Sequence, residues 1–268
     1  MKAIMLAAGV GRRLYGDSKT QPPKALLSFA GKTLLQRHVD ILRALGVSEL
    51  VLVVGFRREL IVAEARRAAA ETGDAGFIRT LHNPRFRSGP ILSLWTARDV
   101  LRGGDDILFM DADVLYHPHM LARLVRSDRT DLFLMDRDIE AGEDPVRICL
   151  KDGEMVEFGK NIQGDFDLVG EWPGFLRLSP AVAARLADAC DALVDAGRVE
   201  VTYEVAMRQV LMDSPPGTFG VEDITGVPWI EIDFPSDLLR AEQHIQPLVD
   251  VPAALEDPAP PAAAARRA

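Results

Sequence analysis

The chain has 268 residues, 48 % of them hydrophobic and 26 % charged, enough to bury the core of one large domain. Forty acidic against 31 basic side chains give a formal net charge of −9, which repels polyanions and argues against nucleic acid as the main partner. Cys149 and Cys190 have no ligand-spaced neighbour, so neither a disulfide framework nor a zinc site is indicated.

Residues 3–8, AIMLAA, form a short apolar run closed by glycine, the pattern of a strand buried on both faces. No signal-peptide pattern precedes it, and no apolar run reaches the roughly 18 residues of a membrane span. A cytoplasmic protein without a membrane partner is expected. ELVLVV (49–54) and DILFM (106–110) repeat the strand pattern. Helical patterns separate them: 33–45 with Thr33 as N-cap and Gly46 as stop, 57–71, and 91–101 after Pro90. This alternation predicts an α/β fold, a mixed but mainly parallel sheet flanked by helices, with ligands at the carboxyl ends of the strands.

From about Thr130 the pattern changes. DPVRICLKDGEMVEFG carries an Asp152-Gly153 pair between alternating apolar residues, a hairpin signal, and FDLVGEWPGFLRLS continues in strands. Residues 140–178 are therefore expected to form a small antiparallel lid over the mouth of the sheet. Helices return at 180–196, 203–213 and 236–246. One domain is expected over 1–250, followed by a disordered Ala/Pro-rich tail over 251–268.

The turn after the first strand, LAAGVGRRL, poses the question of function. A dinucleotide fingerprint needs a third glycine where Leu14 stands, and a P-loop needs lysine where Asp17 follows Gly16. What remains is a Gly-x-Gly turn with Arg12 and Arg13, and Lys24 after a proline pair. Backbone N–H groups and two cations of this kind can hold a triphosphate, while a solvated surface turn is the plain alternative. Asp111 and Asp113 stand two apart at a strand end, so their side chains point the same way and suit a hard cation; capping of a turn is the alternative. Asp233 is a second strand-end acid, equally readable as a loop residue before a helix. His117 and His119 flank a proline without a third ligand in reach and are not read as a metal site.

LAAGVGRRL followed by PPKALLSFAGKTLLQRHVDIL resembles the N-terminal signature of nucleotidyltransferases with a Rossmann-like GT-A fold, and the resemblance extends from residue 1 to about 247. It implies that Leu6, Ala7, Ala8, Gly9, Gly11 and Arg12 wrap a nucleoside triphosphate, that Arg13 activates the α-phosphate and that Lys24 assists. It also implies Mg²⁺ on Asp113 and Asp233, with Asp111 as an accessory. WIEIDFPSDLLRAE is similar to the C-terminal signature of cytidylyltransferases acting on phosphocholine, 2-aminoethylphosphonate and related small phosphoesters, and NPRFRSGPILSLWTARD resembles the segment that places Gly89 and Ser93 at the nucleotide. Gly89 and Pro90 stand where that branch usually has an asparagine pair. The branch implies CTP, a small phosphorylated acceptor, and an acceptor site of Lys160, Glu171, Tyr203, Glu204 and Trp229. A sugar-1-phosphate or inositol-phosphate nucleotidyltransferase and a non-catalytic nucleotide-binding module are the alternatives, and a homodimer is compatible with the sequence.

Overall fold

The computed structural model describes residues 1–16, 18, 20–139 and 145–250. The tail expected over 251–268 and residues 140–144 of the expected lid lie outside the described residues. In chain order, β1 (Lys2–Ala7) leads through the glycine turn to a single-turn helix α1 (Arg12–Tyr15) and a 3₁₀ turn (Lys24–Leu26). A short hairpin, β2 (Ser28–Phe29) and β3 (Lys32–Thr33), enters α2 (Leu34–Ala44). Thr33 caps α2 by accepting a hydrogen bond from Gln36 N at 3.0 Å, and Leu35, Val39 and Leu42 supply its apolar stripe. Then follow β4 (Glu49–Val54), α3 (Arg58–Glu71), β5 (Ile78–His82), α4 (Ile91–Thr96), α5 (Arg98–Leu101), β6 (Ile107–Asp111), β7 (Val114–Tyr116), α6 (Pro118–Arg126) and β8 (Leu132–Met135). The second half runs β9 (Arg147–Lys151), β10 (Glu154–Gly159), β11 (Leu168–Glu171), β12 (Phe175–Leu178), α7 (Pro180–Asp195), α8 (Tyr203–Met212), β13 (Gly220–Asp223), β14 (Trp229–Glu231) and α9 (Pro235–Arg240). A π-helical turn (Ala241–Ile245) then leads to α10 (Gln246–Val249).

Seven strands form the central sheet in the order β13-β8-β12-β6-β1-β4-β5. All neighbours are parallel except β12, which runs antiparallel to both β6 and β8. Strand periodicity divides the core between two layers. Ile4, Val51, Val53, Ile107 and Phe109 face α4, α5, α7 and α8, while Met5, Leu50, Leu52, Leu108 and Met110 face α2, α3 and α6. The mixed, mainly parallel sheet flanked by helices matches the expected fold class.

The middle segment differs from expectation in one respect. β9, β10 and β11 do form a small antiparallel sheet, turned by Asp152 and Gly153 at φ 52° and 80°. The strand at Phe175–Leu178 leaves it and inserts into the central sheet, because Phe175, Leu176 and Leu178 bury in the two main core layers. The small sheet packs through Ile148, Leu150, Met155 and Phe158 into the core beneath α8.

Candidate active site

The chain steps from β1 out to β4 and β5 and then returns to β6 on the other side of β1, so a crevice opens at the carboxyl ends of β1 and β6. Their register pairs Leu6 with Asp111. The glycine turn and the Asp111–Asp113 turn therefore leave the sheet side by side. A cleft of about 480 Å³ lies there.

Gly11 adopts φ 67°, ψ 40°, a left-handed conformation that glycine enters without steric cost, and it turns the chain into α1. Leu14 on α1 is buried in a third apolar cluster with Leu34, Leu115, Ile230 and Ile232, which anchors the short helix and leaves its neighbour Arg13 at the rim. Lys24 follows Pro22 and Pro23; the second proline holds φ −54° and starts the 3₁₀ turn. On the other side, β14 pairs antiparallel with β7, matching Glu231 to Val114, and Ile232 N donates to the carbonyl of Asp113 at 2.9 Å. That ribbon carries the C-terminal acids to the turn after β6. Asp237 accepts from the backbone N–H groups of Asp233 and Phe234 at 2.9 and 2.7 Å and fixes their direction.

The charges converge. Lys24 Nζ stands 3.0 Å from Asp113 Oδ2 and 2.6 Å from Asp233 Oδ1, and Arg13 Nη2 stands 2.6 Å from Asp233 Oδ2. The carboxylate oxygens of Asp113, Glu231 and Asp233 lie within 4.8 Å of one another. Three hard oxygen donors at such separations fit a divalent cation of the Mg²⁺ type. Burial works against the charge of Lys24, but Asp113 and Asp233 outweigh it and raise the pKa above the ordinary lysine value. Glu231 is pushed up to about 8 by burial and then by Asp113 and Asp233. Asp111 is raised well above the carboxylate range by burial and by Asp113 and Glu231; Tyr203 counters this by donating its O–H to both Asp111 oxygens at 2.8 Å. Gly174, at φ 91°, lies against Asp111, where a Cβ would come within 2.6 Å of Oδ2.

Most of the expected site residues share this cleft. Leu6, Ala7, Ala8, Gly9, Gly11, Arg12, Arg13, Lys24, Gly89, Ser93, Asp111, Asp113, Tyr203 and Asp233 line it. Lys160, Glu171, Glu204 and Trp229 do not. Lys160 is exposed just past β10, and Glu204 sits in the first turn of α8 beside Tyr203. Trp229 donates its indole N–H to Asp136 at 2.7 Å and packs against the core. No described residue of the small antiparallel sheet lines the cleft; residues 140–144 of the expected lid lie outside the described residues. His117 accepts from the backbone N–H of His119 at 3.2 Å and caps α6, which accounts for the pair without a metal.

Sequence reading missed Glu231, Asp237, Phe86 and Arg87. Glu231 had a signal: it stands two before Asp233 in an extended segment and so points the same way. Asp237 is the third residue of α9, where an acid caps. Nothing local marked Arg87. Among the described residues no helix is long and apolar enough to cross a membrane.

Residues 3–154 match the MobA-like NTP transferase domain. The chain is 30 % identical over 246 residues, 91 % of its length, to the bifunctional IPC transferase and DIPP synthase of Rubrobacter xylanophilus, and spans 51 % of that protein. It is 23 % identical over 256 residues, 89 % of its length and 98 % of the relative's, to the CTP:phosphoglutamine cytidylyltransferase of Campylobacter jejuni. The solved CTP:phosphocholine cytidylyltransferase of Streptococcus pneumoniae superposes with a TM-score of 0.71 at 20 % identity, covering 90 % of this chain and 97 % of that one, a likeness of fold.

Proposed function

Because the chain belongs to the MobA-like NTP transferase family, we propose that it is a Mg²⁺-dependent cytidylyltransferase, joining CMP from CTP to a small phosphorylated or phosphonate acceptor and releasing pyrophosphate. The observation that carries this reading is the meeting of Arg13, Lys24, Asp113, Glu231 and Asp233, from three distant stretches, at one rim of the sheet. Of two relatives of similar length, one uses CTP and one UTP by name, and the solved neighbour of Streptococcus pneumoniae also uses CTP by name; these support the choice of CTP, with UTP as the base the test must separate.

Phosphoryl transfer asks little covalent work of a protein and much positioning. Arg13 and Lys24 bind the triphosphate and offset the charge that would otherwise repel an anionic nucleophile. Lys24, protonated across the working pH range, exchanges its carboxylate partners for phosphate oxygens as the nucleotide enters. Asp113 and Asp233, with Glu231, would hold Mg²⁺, which when bound supplies charge neutralisation on the phosphate tail. Leu6 to Gly9, Gly11, Arg12, Gly89 and Ser93 form the nucleotide wall; Asn83, itself 1 % exposed, orients Ser93 by donating to its hydroxyl at 3.2 Å. The acceptor lies toward Tyr203, where Asp111 and Glu231 line the cleft with buried oxygens that an ammonium group beside the acceptor's phosphate would pair with.

The test is incubation with Mg²⁺, one nucleotide at a time from CTP, UTP, GTP, dTTP and ATP, and a mixture of phosphocholine, 2-aminoethylphosphonate, inositol phosphate and sugar phosphates. Pyrophosphate release with CTP and a CMP-linked product by mass are expected, both lost with a chelator and restored by Mg²⁺. Turnover confined to a different nucleotide overturns the base assignment, and nucleotide binding without pyrophosphate release from any pair overturns the enzymatic one.

A further inference from the structure

The central sheet carries its charge unevenly. Strands β8, β6, β1, β4 and β5 all end at the edge where the cleft opens, since β12 runs against both β6 and β8 and the other pairings are parallel. The segments leaving β4 and β5 there, residues 55–58 and 83–90, hold Arg57, Arg58, Arg85 and Arg87 and no acid. The segments leaving β6 and β8 hold Asp111, Asp113, Asp136 and Asp138, and the β14 ribbon adds Glu231 and Asp233. Arg137, between two of those acids, is paired with Asp223 at 2.8 Å. One half of the mouth is therefore basic and the other acidic, in a chain of net charge −9.

Hydrogen bonds fix the basic half to the nucleotide wall. Phe56 N donates to Ala8 O at 3.1 Å, and Arg57 donates to the carbonyls of Thr20 and Gln21 at 2.5 and 2.8 Å. Asn83 accepts from Arg85 N at 2.9 Å while its amide N–H reaches Ser93 in the cleft at 3.2 Å. Arg58 and Arg85 are exposed and stand outside the cleft, and Arg58 meets the Nδ1 of His82 at 2.8 Å. The Arg87 guanidinium lies 5.2 Å from the ring centre of Phe86. Among the described residues none of these four arginines pairs with a carboxylate. Near the amino ends of β4, β5 and β6, by contrast, Arg43, Arg79 and Arg102 each sit on one, at 3.0, 2.5 and 2.5 Å.

We propose that the basic half of this edge is a landing surface for the triphosphate: Arg58 and Arg85, outside the cleft, speed the capture of the nucleotide without holding it once bound. The inference rests on the nucleotidyl-transfer reading but not on the identity of the base. A chain of net charge −9 repels a polyanion on average, so capture depends on where the positive charge is concentrated. Arginines with no carboxylate in contact keep their full field toward solvent, and the low-dielectric walls of a cleft focus it at the mouth. The acids of the opposite half repel the same phosphates, so the polarity turns the nucleotide as well as attracting it. Charges acting through solvent in this way set association rates and salt dependence, whereas contacts in the bound complex set the turnover. Their reach shrinks from about 10 Å at 0.1 M salt to about 3 Å at 1 M, which gives the effect a signature.

The experiment measures pyrophosphate release by the full chain, with the nucleotide it turns over and saturating acceptor, at about 0.02 M and about 0.5 M salt. The proteins are wild type, Arg58→Glu/Arg85→Glu, Arg58→Lys/Arg85→Lys and a control of equal charge change at the opposite edge, Arg43→Glu/Arg129→Glu. At low salt the Arg58→Glu/Arg85→Glu variant is expected to lose about ten-fold in kcat/KM for the nucleotide with kcat unchanged, and at high salt to return within about two-fold of wild type. Arg58→Lys/Arg85→Lys keeps the charge and stays within about two-fold of wild type throughout. An unchanged kcat/KM at low salt, a loss that persists at high salt, or an equal loss in the control overturns the proposal. So does binding of the wild type, but not of Arg58→Glu/Arg85→Glu, to phosphatidylglycerol vesicles with the same kcat/KM in both, which would assign the surface to a membrane. Absence of turnover with every nucleotide means that the enzymatic reading has failed; calorimetric titration with CTP at the same two salts then reads the same ratios as affinities, and no binding of CTP overturns the landing surface as well.

Discussion

Lys24→Met keeps the stem of the side chain and removes the charge at the centre of the site. In the native protein the Lys24 side chain is 14 % exposed and its ammonium bonds Asp113 and Asp233 at 3.0 and 2.6 Å. Loss of two charge-assisted hydrogen bonds at about 1.5–3 kcal/mol each sets the upper bound. The carboxylates retain 23 % and 13 % access to solvent and Arg13 still pairs with Asp233, so a net destabilisation of about 2–4 kcal/mol is expected. Three carboxylates then face one another within 4.8 Å, and a divalent cation no longer competes with an ammonium for their oxygens. Mg²⁺ should therefore stabilise the variant more than the wild type; saturation at a hundred times Kd gives about 2.7 kcal/mol. Urea denaturation at matched ionic strength, with and without Mg²⁺, reads both effects. Turnover with the active nucleotide should fall roughly 10²–10³-fold. A variant as stable as the wild type without Mg²⁺, and no more responsive to it, refutes the picture of one shared cation site.

His38 gives a pH signature. It is fully buried, donates Nε2–H to the carbonyl of Ala112 at 3.3 Å and accepts from the Tyr116 hydroxyl at 3.1 Å, and burial lowers its pKa from 6.5 to about 4. The unfolded chain takes up the proton first, so the stability contributed by neutral His38 is present above pH 6.5 and lost as the pH falls through 4, about 3 kcal/mol in full. Between pH 7 and 4.5, urea melts of His38→Gln should show a decline smaller than wild type by about 2–3 kcal/mol; equal declines would contradict the buried neutral imidazole. Tyr203→Phe leaves Asp111 without its hydroxyl donor and should cost about 1–3 kcal/mol, with reduced turnover, by the same melts and pyrophosphate release. At Gly89 an added Cβ would meet Val199 O at 1.6 Å, so Gly89→Ala must displace the segment leading to Tyr203; about 1–3 kcal/mol of stability and most of the activity should be lost together. Gly89→Ala behaving as wild type in both assays would show that this close approach does not hold the cleft.

Much of the site was legible locally. The Gly11 turn, the Thr33 cap and the Asp152-Gly153 hairpin are set by steric preference and hydrogen bonding within a few residues, so their local chemistry is enough to predict them. The shared direction of Asp111 and Asp113 follows from strand periodicity, and the same rule would have found Glu231 beside Asp233. The helix read over 91–101 shows the limit of such rules: it breaks at Ala97 into α4 and α5, whose apolar residues all bury in one core layer.

By itself the sequence determined the alternation of the main strands and helices in the first half, the glycine turn and which residues could carry charge, because those depend on backbone sterics and on side chains within a turn of one another. Only the tertiary structure decided that Phe175–Leu178 would run antiparallel inside the central sheet and that the β14 ribbon would bring Glu231 and Asp233 to Asp113. Those juxtapositions join residues tens to hundreds apart in the chain. They arise because burying both faces of the sheet leaves few ways to arrange its strands, a constraint that no local window of sequence contains.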